Sequence, residues 1–240
     1  MNEIAIYMNA VAAMEDLCFT GPRTAHIQSD WSLPQYDLQI HMNSDGDPRY
    51  QFAAWGLQVM TAISVQSGGW PVVADFLWDG IQKGDGRIDY GLSGDQIGAV
   101  APLNASLRVL DLDTDTANAT ARTPLQDRHT LEIRPAYGRA SMTASRVFRT
   151  ALATMLKGAE RGIDRQLSEY STEYFEIFSR FDRGTRQPLL RWRQVVTAMR
   201  LLTRWMVARD RFAEISFELY RDGGLIAVGA LKNEGLSAER

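Results

Sequence analysis

Apolar side chains recur at every third or fourth position in four stretches of the chain, a spacing typical of amphipathic helices. These stretches are residues 3–18, 48–67, 142–161 and 188–209. Pro48 suits a first helical position, and Gly68-Gly69 suits a left-handed helix end. The last stretch has the widest apolar arc, so we expect most of that helix to be covered. Its apolar residues are Trp192, Val195, Val196, Met199, Leu201, Leu202, Trp205 and Met206.

Between these stretches, alternation of apolar and polar residues predicts strands. Residues 36–42 alternate strictly, with His41 on the polar face. Further strands are predicted at residues 72–78, 87–92, 107–112, 130–137, 212–220 and 225–231. Asp222-Gly223 between the last two predicts a tight hairpin turn. Residues 167–181 fit a helix and a strand equally well, because a short aromatic run does not decide between them.

This order of elements predicts an α+β fold, with helices covering one face of a mostly antiparallel sheet. A length of 240 residues suits one large domain or two small ones. Residues 1–132 contain 7 Lys/Arg and 17 Asp/Glu (net −10), whereas residues 133–240 contain 19 and 12 (net +7). We therefore expect an acidic N-terminal half (1–100) and an arginine-rich C-terminal half (101–240). One compact domain with internal pseudo-symmetry is the alternative.

The end of the chain resembles its first half. Residues 58–63 (QVMTAI) align with 194–199 (QVVTAM), and Phe76 with Asp79-Gly80 aligns with Phe217 and Asp222-Gly223. Residues 86–91 then align with 224–229. The alignment predicts two similar strand–helix–strand–strand halves. The alternative is that any two amphipathic helices followed by a hairpin look alike.

A helix with an internal tryptophan, followed by a hairpin that ends in Val228-Gly-Ala-Leu231, resembles uncharacterised fungal open reading frames. The resemblance covers about residues 105–233 and lies in the patterning of the chain. It implies a fungal source and no activity, cofactor or substrate.

Residues with potential chemistry are scattered. The single cysteine, Cys18, lies on an apolar helix face, which favours a buried small hydrophobe over a nucleophile. His26, His41 and His129 lack metal-ligand spacing, and residues 84–89 resemble a calcium-binding loop that has lost three ligands. We therefore expect no metal and no cofactor. Asp75, Asp79, Asp85 and Asp89 surround one hairpin, where a solvated turn is the alternative to paired acid–base carboxylates.

Arginines form the most specific pattern. At about 100° per residue, Arg193, Arg200, Arg204 and Arg211 fall on one line beside the apolar arc of the last helix. Arginine suits bidentate contacts with carboxylate or phosphate groups. Three interpretations remain open: a solvated stripe, pairing with carboxylates of the acidic half or of a second subunit, and binding of nucleic acid or another polyanion. The acidic net charge of −3 weighs against nucleic acid.

Without a catalytic constellation, the sequence favours a non-enzymatic binding or assembly module that self-associates or binds a protein partner. An enzyme or small-ligand binder with a pocket between the two halves is the alternative, and polyanion binding is the third hypothesis. The first residues carry acidic Glu3 and Glu15 without a basic region, and no apolar run reaches about 18 residues. We therefore expect a cytoplasmic protein that does not enter the membrane.

Overall fold

The computed structural model describes residues 3–20, 30–33, 38–42, 50–70, 72–78, 81–88, 121–124, 130–184 and 186–233. It has the predicted α+β fold, and all of its strand pairs are antiparallel. The chain divides into two compact units. Unit 1 comprises Met1–Arg108 and Met155–Gly162, and unit 2 comprises Val109–Thr154 and Ile163–Arg240.

Among its described residues, unit 1 contains two helices, the last part of a third helix and a four-stranded sheet. Its elements are α1 (Glu3–Thr20), β1 (Asp30–Leu33), β2 (Leu38–Met42), α2 (Tyr50–Gln66), β3 (Val72–Trp78) and β4 (Ile81–Ile88). The strand order is β1-β2-β4-β3, which leaves β3 at an edge. The strand predicted at 87–92 starts too late in the sequence, because β4 begins at Ile81. Gly84 and Gly86 of β4 pair with residues of both β2 and β3.

Unit 2 contains a larger set of strands. Its elements are β5 (Ala121–Pro124), β6 (Thr130–Ser141), β7 (Gln166–Leu167), β8 (Glu169–Ser171), β9 (Phe175–Ser179), β10 (Leu190–Arg191), α4 (Trp192–Ala208), β11 (Ala213–Arg221) and β12 (Gly224–Leu231). Helix α3 (Ala144–Arg161) is divided, because its residues up to Thr154 belong to unit 2 and those from Met155 belong to unit 1. The main sheet has the order β5-β6-β11-β12-β9-β8, and β7 pairs with β10. The ambiguous residues 167–181 therefore form strands, whereas predicted strand 107–112 lies outside the described residues.

With the two-residue strands β7 and β10 set aside, the chain runs helix–strand–strand–helix–strand–strand from α1 to β4 and again from α3 to β12, with the same strand order in the sheet. The strand registers also agree. Leu38 at the start of β2 pairs with Ile88 at the end of β4, and Phe175 at the start of β9 pairs in the same way with Leu231 at the end of β12. The closing hairpins share an irregularity at the third pair from the turn, between Phe76 and Leu77 and between Leu219 and Tyr220. A bulge at the same place in both hairpins is a specific shared feature, because bulges are local and rarely placed by chance.

The helices correspond residue by residue. Helices α2 and α4 are both 17 residues long, so Tyr50 corresponds to Trp192. The buried positions of α2 are also buried in α4: Ala53, Ala54, Gly56, Leu57, Met60, Thr61 and Ser64 match Val195, Val196, Ala198, Met199, Leu202, Thr203 and Met206. Even a side-chain hydrogen bond recurs, because Thr61 donates to the carbonyl of Leu57 and Thr203 to that of Met199.

This correspondence differs from the alignment made from the sequence. Gln58 corresponds to Arg200 and not to Gln194, and Phe76 corresponds to Leu219 and not to Phe217. Gly86 corresponds to Gly229, because Gly86 is at the middle of the pairing between β2 and β4 and Gly229 is at the middle of the pairing between β9 and β12. A six-residue slip along a helix moves a residue to another face, so the matching letters QVMTAI and QVVTAM did not mark equivalent positions.

Candidate functional site

The four arginines predicted to form one stripe do not all lie on the helix. Helix α4 ends at Ala208, so Arg211 lies beyond it and the prediction is wrong for this residue. Arg193 forms an ion pair with Asp164, with 2.5 Å between its Nη2 and Oδ1. Arg200 and Arg204 are half-buried, and neither is without a partner. The described ion pair of the stripe therefore joins two residues of unit 2.

Arg211 instead belongs to a cluster with three other residues, which we call the arginine corner: Arg209, Arg211, Tyr137 and Trp205. The guanidinium carbon of Arg209 lies 4.4 Å from the ring centre of Trp205, and that of Arg211 lies 4.1 Å from the ring centre of Tyr137. The two rings are tilted against each other with their centres 4.4 Å apart. Such contacts combine cation–π attraction with stacking of the planar guanidinium.

The helix end fixes the backbone of this corner. The N–H of Asp210 donates to the carbonyl of Val207 (3.0 Å), and the N–H of Arg211 donates to that of Met206 (3.1 Å). Asp210 has a left-handed φ of 46°. These features define a Schellman motif, in which the residue after the C-cap is usually glycine. At the corresponding end of α2, Gly68 has a φ of 82°, and Gly69 donates to the carbonyl of Ser64.

Tyr137 connects β6 to this turn. Its hydroxyl donates a hydrogen bond to the carbonyl of Arg211, at 3.1 Å. Partial burial raises the pKa of the Tyr137 hydroxyl, and the charges of Arg209 and Arg211 both act in the opposite direction. Both guanidinium charges are therefore close enough to act on the same phenolic oxygen.

A second candidate site is a surface of unit 1 whose counterpart in unit 2 is covered. We call it the open edge: Val59 and Ile63 of α2, with Trp70 and Val73 beside and on β3. The exposed fractions are 56% for Val59, 44% for Ile63, 71% for Trp70 and 72% for Val73. Isolated exposed apolar residues are ordinary, but Val59 and Ile63 lie one helical turn apart on the same face of α2, and exposed apolar residues that adjoin each other favour an interaction surface.

In unit 2 the corresponding helix positions are buried. Leu201 and Trp205 correspond to Val59 and Ile63, and they are 7% and 6% exposed. Strands β5 and β6 pack against α4, and β6 also pairs along the outer edge of β11, the counterpart of β3. Among the described residues, no strand lies along the outer edge of β3.

The structure brings together some of the predicted carboxylates. Asp75 and Asp85 lie opposite each other on β3 and β4, and Asp85 also lies opposite His41, which in turn lies opposite Asp30. The four residues thus occupy one row across the sheet of unit 1. The corresponding row of unit 2 contains Glu169, Phe178, Val228 and Glu218. Asp79, Asp89, His26 and His129 lie outside the described residues.

Cys18 is buried, as its place on an apolar helix face predicted. Burial raises the pKa of its thiol strongly, and the carboxylate of Glu15 acts in the same direction. The thiol is 3.5 Å from the carbonyl oxygen of Met155, to which it donates. A neutral, enclosed thiol is a poor nucleophile, so this side chain serves packing.

Within the described residues, no three His, Cys, Asp or Glu side chains are placed to hold a metal ion. The helices described here also include none with the length and apolar character needed to cross a membrane. Comparison of the chain with known protein families, curated proteins and solved structures found no match. A functional assignment therefore has to come from the geometry of the two units.

Proposed function

We propose that this protein is a non-enzymatic assembly module that self-associates through the open edge of unit 1. The observation that carries the proposal is the difference between the two units. One arrangement of two helices and four strands occurs twice, and among the described residues strands such as β5 and β6 accompany it only in unit 2. The surface that they occupy there is exposed in unit 1.

Comparison of α2 with α4 locates the exposed surface. The two helices differ in burial at one stripe of positions, four residues apart: Trp55, Val59 and Ile63 in α2 are more exposed than Thr197, Leu201 and Trp205 in α4. Side chains at this spacing lie on one helix face. In unit 2 that face is turned to β5 and β6, where Tyr137 contacts Trp205.

The edge of β3 adds directional hydrogen bonding to this apolar surface. The outward N–H and C=O groups of an edge strand form a template for another strand. Natural edge strands are usually guarded by lysine, proline or short length, whereas β3 has seven residues and a single charge, Asp75. These properties favour association over an isolated edge.

A second copy of the chain would cover both the exposed apolar side chains of α2 and the unpaired edge of β3. Two copies related by a twofold axis bring β3 against β3 in antiparallel orientation, and each adds Val59 and Ile63 of α2 to a shared apolar layer on the helix side of the sheet. Val73 alternates with the buried Val72 and therefore lies beside the paired edge on the other face of the sheet. Twofold dimers are the commonest homo-oligomers because one patch satisfies itself. Like charges directly opposite each other are unfavourable, so the register that places Asp75 opposite its own copy is disfavoured.

Sedimentation velocity and light scattering from low to high micromolar concentration test the proposal. We expect a monomer–dimer equilibrium in the full chain. Val73→Lys should weaken the dimer by at least about tenfold, or about 1.4 kcal/mol, because it puts a charge on the edge in both copies. Phe181→Lys is the matched control, since Phe181 is a 51% exposed apolar residue of unit 2.

A monomer at every concentration overturns self-association. Equal dimerisation of the Val73→Lys and Phe181→Lys variants shows that another surface is responsible. Ile63→Lys checks the helix part of the open edge, and it should weaken the dimer in the same way as Val73→Lys. Circular dichroism of each variant confirms that the substitutions at exposed positions leave the fold intact.

A further inference from the structure

We propose that a hairpin of unit 2 binds single-stranded nucleic acid. The hairpin follows β9 and ends where α4 begins, and we call its residues 180–184 and 186–191 the arginine hairpin. It contains four arginines and one aspartate, so its net charge is +3. All four arginines are exposed, and none of them belongs to an ion pair of the described residues: Arg180, Arg183, Arg186 and Arg191.

Hydrogen bonds close the tip of the arginine hairpin. The N–H of Asp182 donates to the carbonyl of Gln187 (3.0 Å), and the N–H of Arg186 donates to the carbonyl of Asp182 (2.9 Å). The carboxylate of Asp182 accepts a hydrogen bond from the N–H of Gly184 (3.0 Å). Arg183 and Arg186 therefore lie together in one closed turn, which places two positive charges at the exposed end of the hairpin.

Arg186 occupies a position where stability favours another residue. Its φ is 55°, in the left-handed region that glycine adopts without the steric cost of a Cβ. Glycine would therefore suit this turn better, and the turn itself gives no reason for a guanidinium here. Backbone strain of this kind clusters at sites where a particular side chain has a function. We attribute the arginine at this position to binding rather than to folding.

Two phenylalanines adjoin these arginines. Among the described residues of unit 2 they are the only large apolar side chains that are exposed, with exposed fractions of 42% for Phe178 and 51% for Phe181. Phe178 lies on the solvent face of the sheet, because Ile177 and Ser179 on either side of it are buried. Phe181 pairs with Pro188 across the hairpin. In the described structure neither ring packs against another ring or a guanidinium, so both have an open surface.

Exposed rings among arginines are the combination that binds nucleic-acid single strands. Unpaired bases stack on aromatic side chains, and guanidinium groups bind the phosphates between them. A duplex keeps its bases stacked on each other, so it cannot use Phe178 and Phe181 in this way. The net charge of −3 of the whole chain does not oppose the assignment, because residues 133–240 have a net charge of +7.

Other anionic partners fit the arginine hairpin less well. Its arginines occupy both of its strands as well as its tip, so an extended polyanion suits them better than one compact ion. The tip has two arginines and no described apolar side chain, so it would not lead the two rings into a bilayer. A purely acidic peptide would use the arginines and leave both rings exposed to water.

Fluorescence anisotropy of the full chain with a labelled oligothymidylate of about 12 nucleotides tests the proposal at low salt. We expect saturable binding that weakens as salt rises, with a log–log slope of about −0.7 for each phosphate contact. Arg183→Gln/Arg186→Gln should weaken binding by at least about tenfold and make the slope less steep. The control Arg139→Gln/Arg149→Gln removes the same charge from two exposed arginines elsewhere in unit 2, and it should bind like the wild type.

Two further variants separate binding from folding and charge from stacking. Arg186→Gly should raise the thermal midpoint, because it relieves the left-handed strain, and yet weaken binding; a purely structural arginine would not give this opposite pair of effects. Phe178→Ala/Phe181→Ala should weaken binding by at least about fivefold without changing the salt dependence, because it removes stacking and no charge. An oligouridylate of the same length shows whether RNA or DNA is preferred, and a duplex of that length should bind more weakly than either.

The absence of saturable binding at low salt overturns the proposal, and so does equal affinity of Arg183→Gln/Arg186→Gln and its control. Polyglutamate that binds as tightly as the oligonucleotide, with no effect of the phenylalanine variant on either, shows a general anion surface instead. Tighter binding to phosphatidylserine-containing vesicles than to the oligonucleotide overturns it in favour of a membrane. Val73→Lys should bind the oligonucleotide like the wild type, so this proposal and self-association through the open edge are tested separately. Circular dichroism confirms that each variant is folded.

Discussion

Leu201 and Val59 occupy the same position of the same helix in the two units, yet Leu201 is 7% exposed and Val59 is 56% exposed. The residues are similar in size and polarity, so their own chemistry does not cause the difference. We attribute it to strands β5 and β6, which pack against α4. The two helices therefore share their buried positions but differ in the exposure of one outer face.

The end of α4 stores strain that glycine would relieve. Asp210 has a φ of 46°, whereas Gly68 occupies the corresponding turn of unit 1. Left-handed backbone costs a residue with a Cβ about 1 kcal/mol, and a carboxylate is unfavourable at a helix C-terminus. We expect Asp210→Gly to raise the free energy of unfolding by up to about 1 kcal/mol, measured by urea denaturation.

Two companion variants separate the terms in that prediction. Asp210→Ala removes the charge but keeps the Cβ, so it should be less stable than Asp210→Gly. Gly68→Ala puts a Cβ at a φ of 82°, where there is space but not a favourable conformation, and it should lower stability by about 1 kcal/mol. Equal stability of the glycine and alanine variants at position 210 would show that charge alone matters there.

Two threonines of α4 should respond in opposite directions to the same substitution. The hydroxyl of Thr197 is buried and has no hydrogen-bond partner in the described structure, whereas that of Thr203 donates to the carbonyl of Met199 at 3.0 Å. An unsatisfied buried polar group costs about 1–3 kcal/mol, and a satisfied one contributes about 1 kcal/mol. We expect Thr197→Val to stabilise the protein and Thr203→Val to destabilise it, each by about 1 kcal/mol.

Denaturation midpoints measured under identical conditions compare the two variants directly, because both change the same atoms on the same helix. A loss of stability in Thr197→Val would mean that its hydroxyl has a partner, such as a buried water, and would contradict the prediction.

Gly229 is required by close packing rather than by its backbone conformation. A Cβ at this position would lie 2.4 Å from the Cζ of Phe217 and 2.7 Å from the carbonyl oxygen of Glu176. We expect Gly229→Ala to lower the free energy of unfolding by at least about 2 kcal/mol, since the neighbouring backbone cannot move away without breaking the sheet. Gly224→Ala is the control on the same strand, because its nearest neighbour would be 3.5 Å away.

Local sequence patterns predicted individual helices and strands better than they predicted which strands pair with each other. The periodicity of residues 188–209 identified α4, and Asp222-Gly223 identified the hairpin between β11 and β12. The ambiguous residues 167–181 became strands because Phe175–Ser179 pairs with β12, a partner that a local window does not contain. Tertiary pairing decides such short aromatic segments.

The candidate sites were harder to predict than the fold. Helical projection placed Arg211 on a line with Arg193, but the left-handed turn at Asp210 ends that projection. Trp205 and Arg209 are four residues apart, which is a usable sequence signal for a stacked pair. Tyr137 comes from a distant strand and had no such signal. The open edge became visible only by comparison of the two units, because the sequence of α2 alone does not show that no described strand covers Val59.

The pH dependence of the free energy of unfolding tests whether the Cys18 thiol is buried in unit 1. Its folded-state pKa is raised by burial, while the unfolded chain releases the proton near pH 8.5. Above that pH the unfolded state loses the proton and the folded state keeps it, so stability falls as the pH rises. We expect the free energy of unfolding to decrease between about pH 8.5 and pH 10, by about 1.4 kcal/mol per pH unit at most.

The variant Cys18→Ala should remove this part of the pH dependence. The native protein should react with a thiol reagent only as fast as the structure around Cys18 opens. Rapid labelling of native protein at neutral pH would contradict the enclosed, neutral thiol.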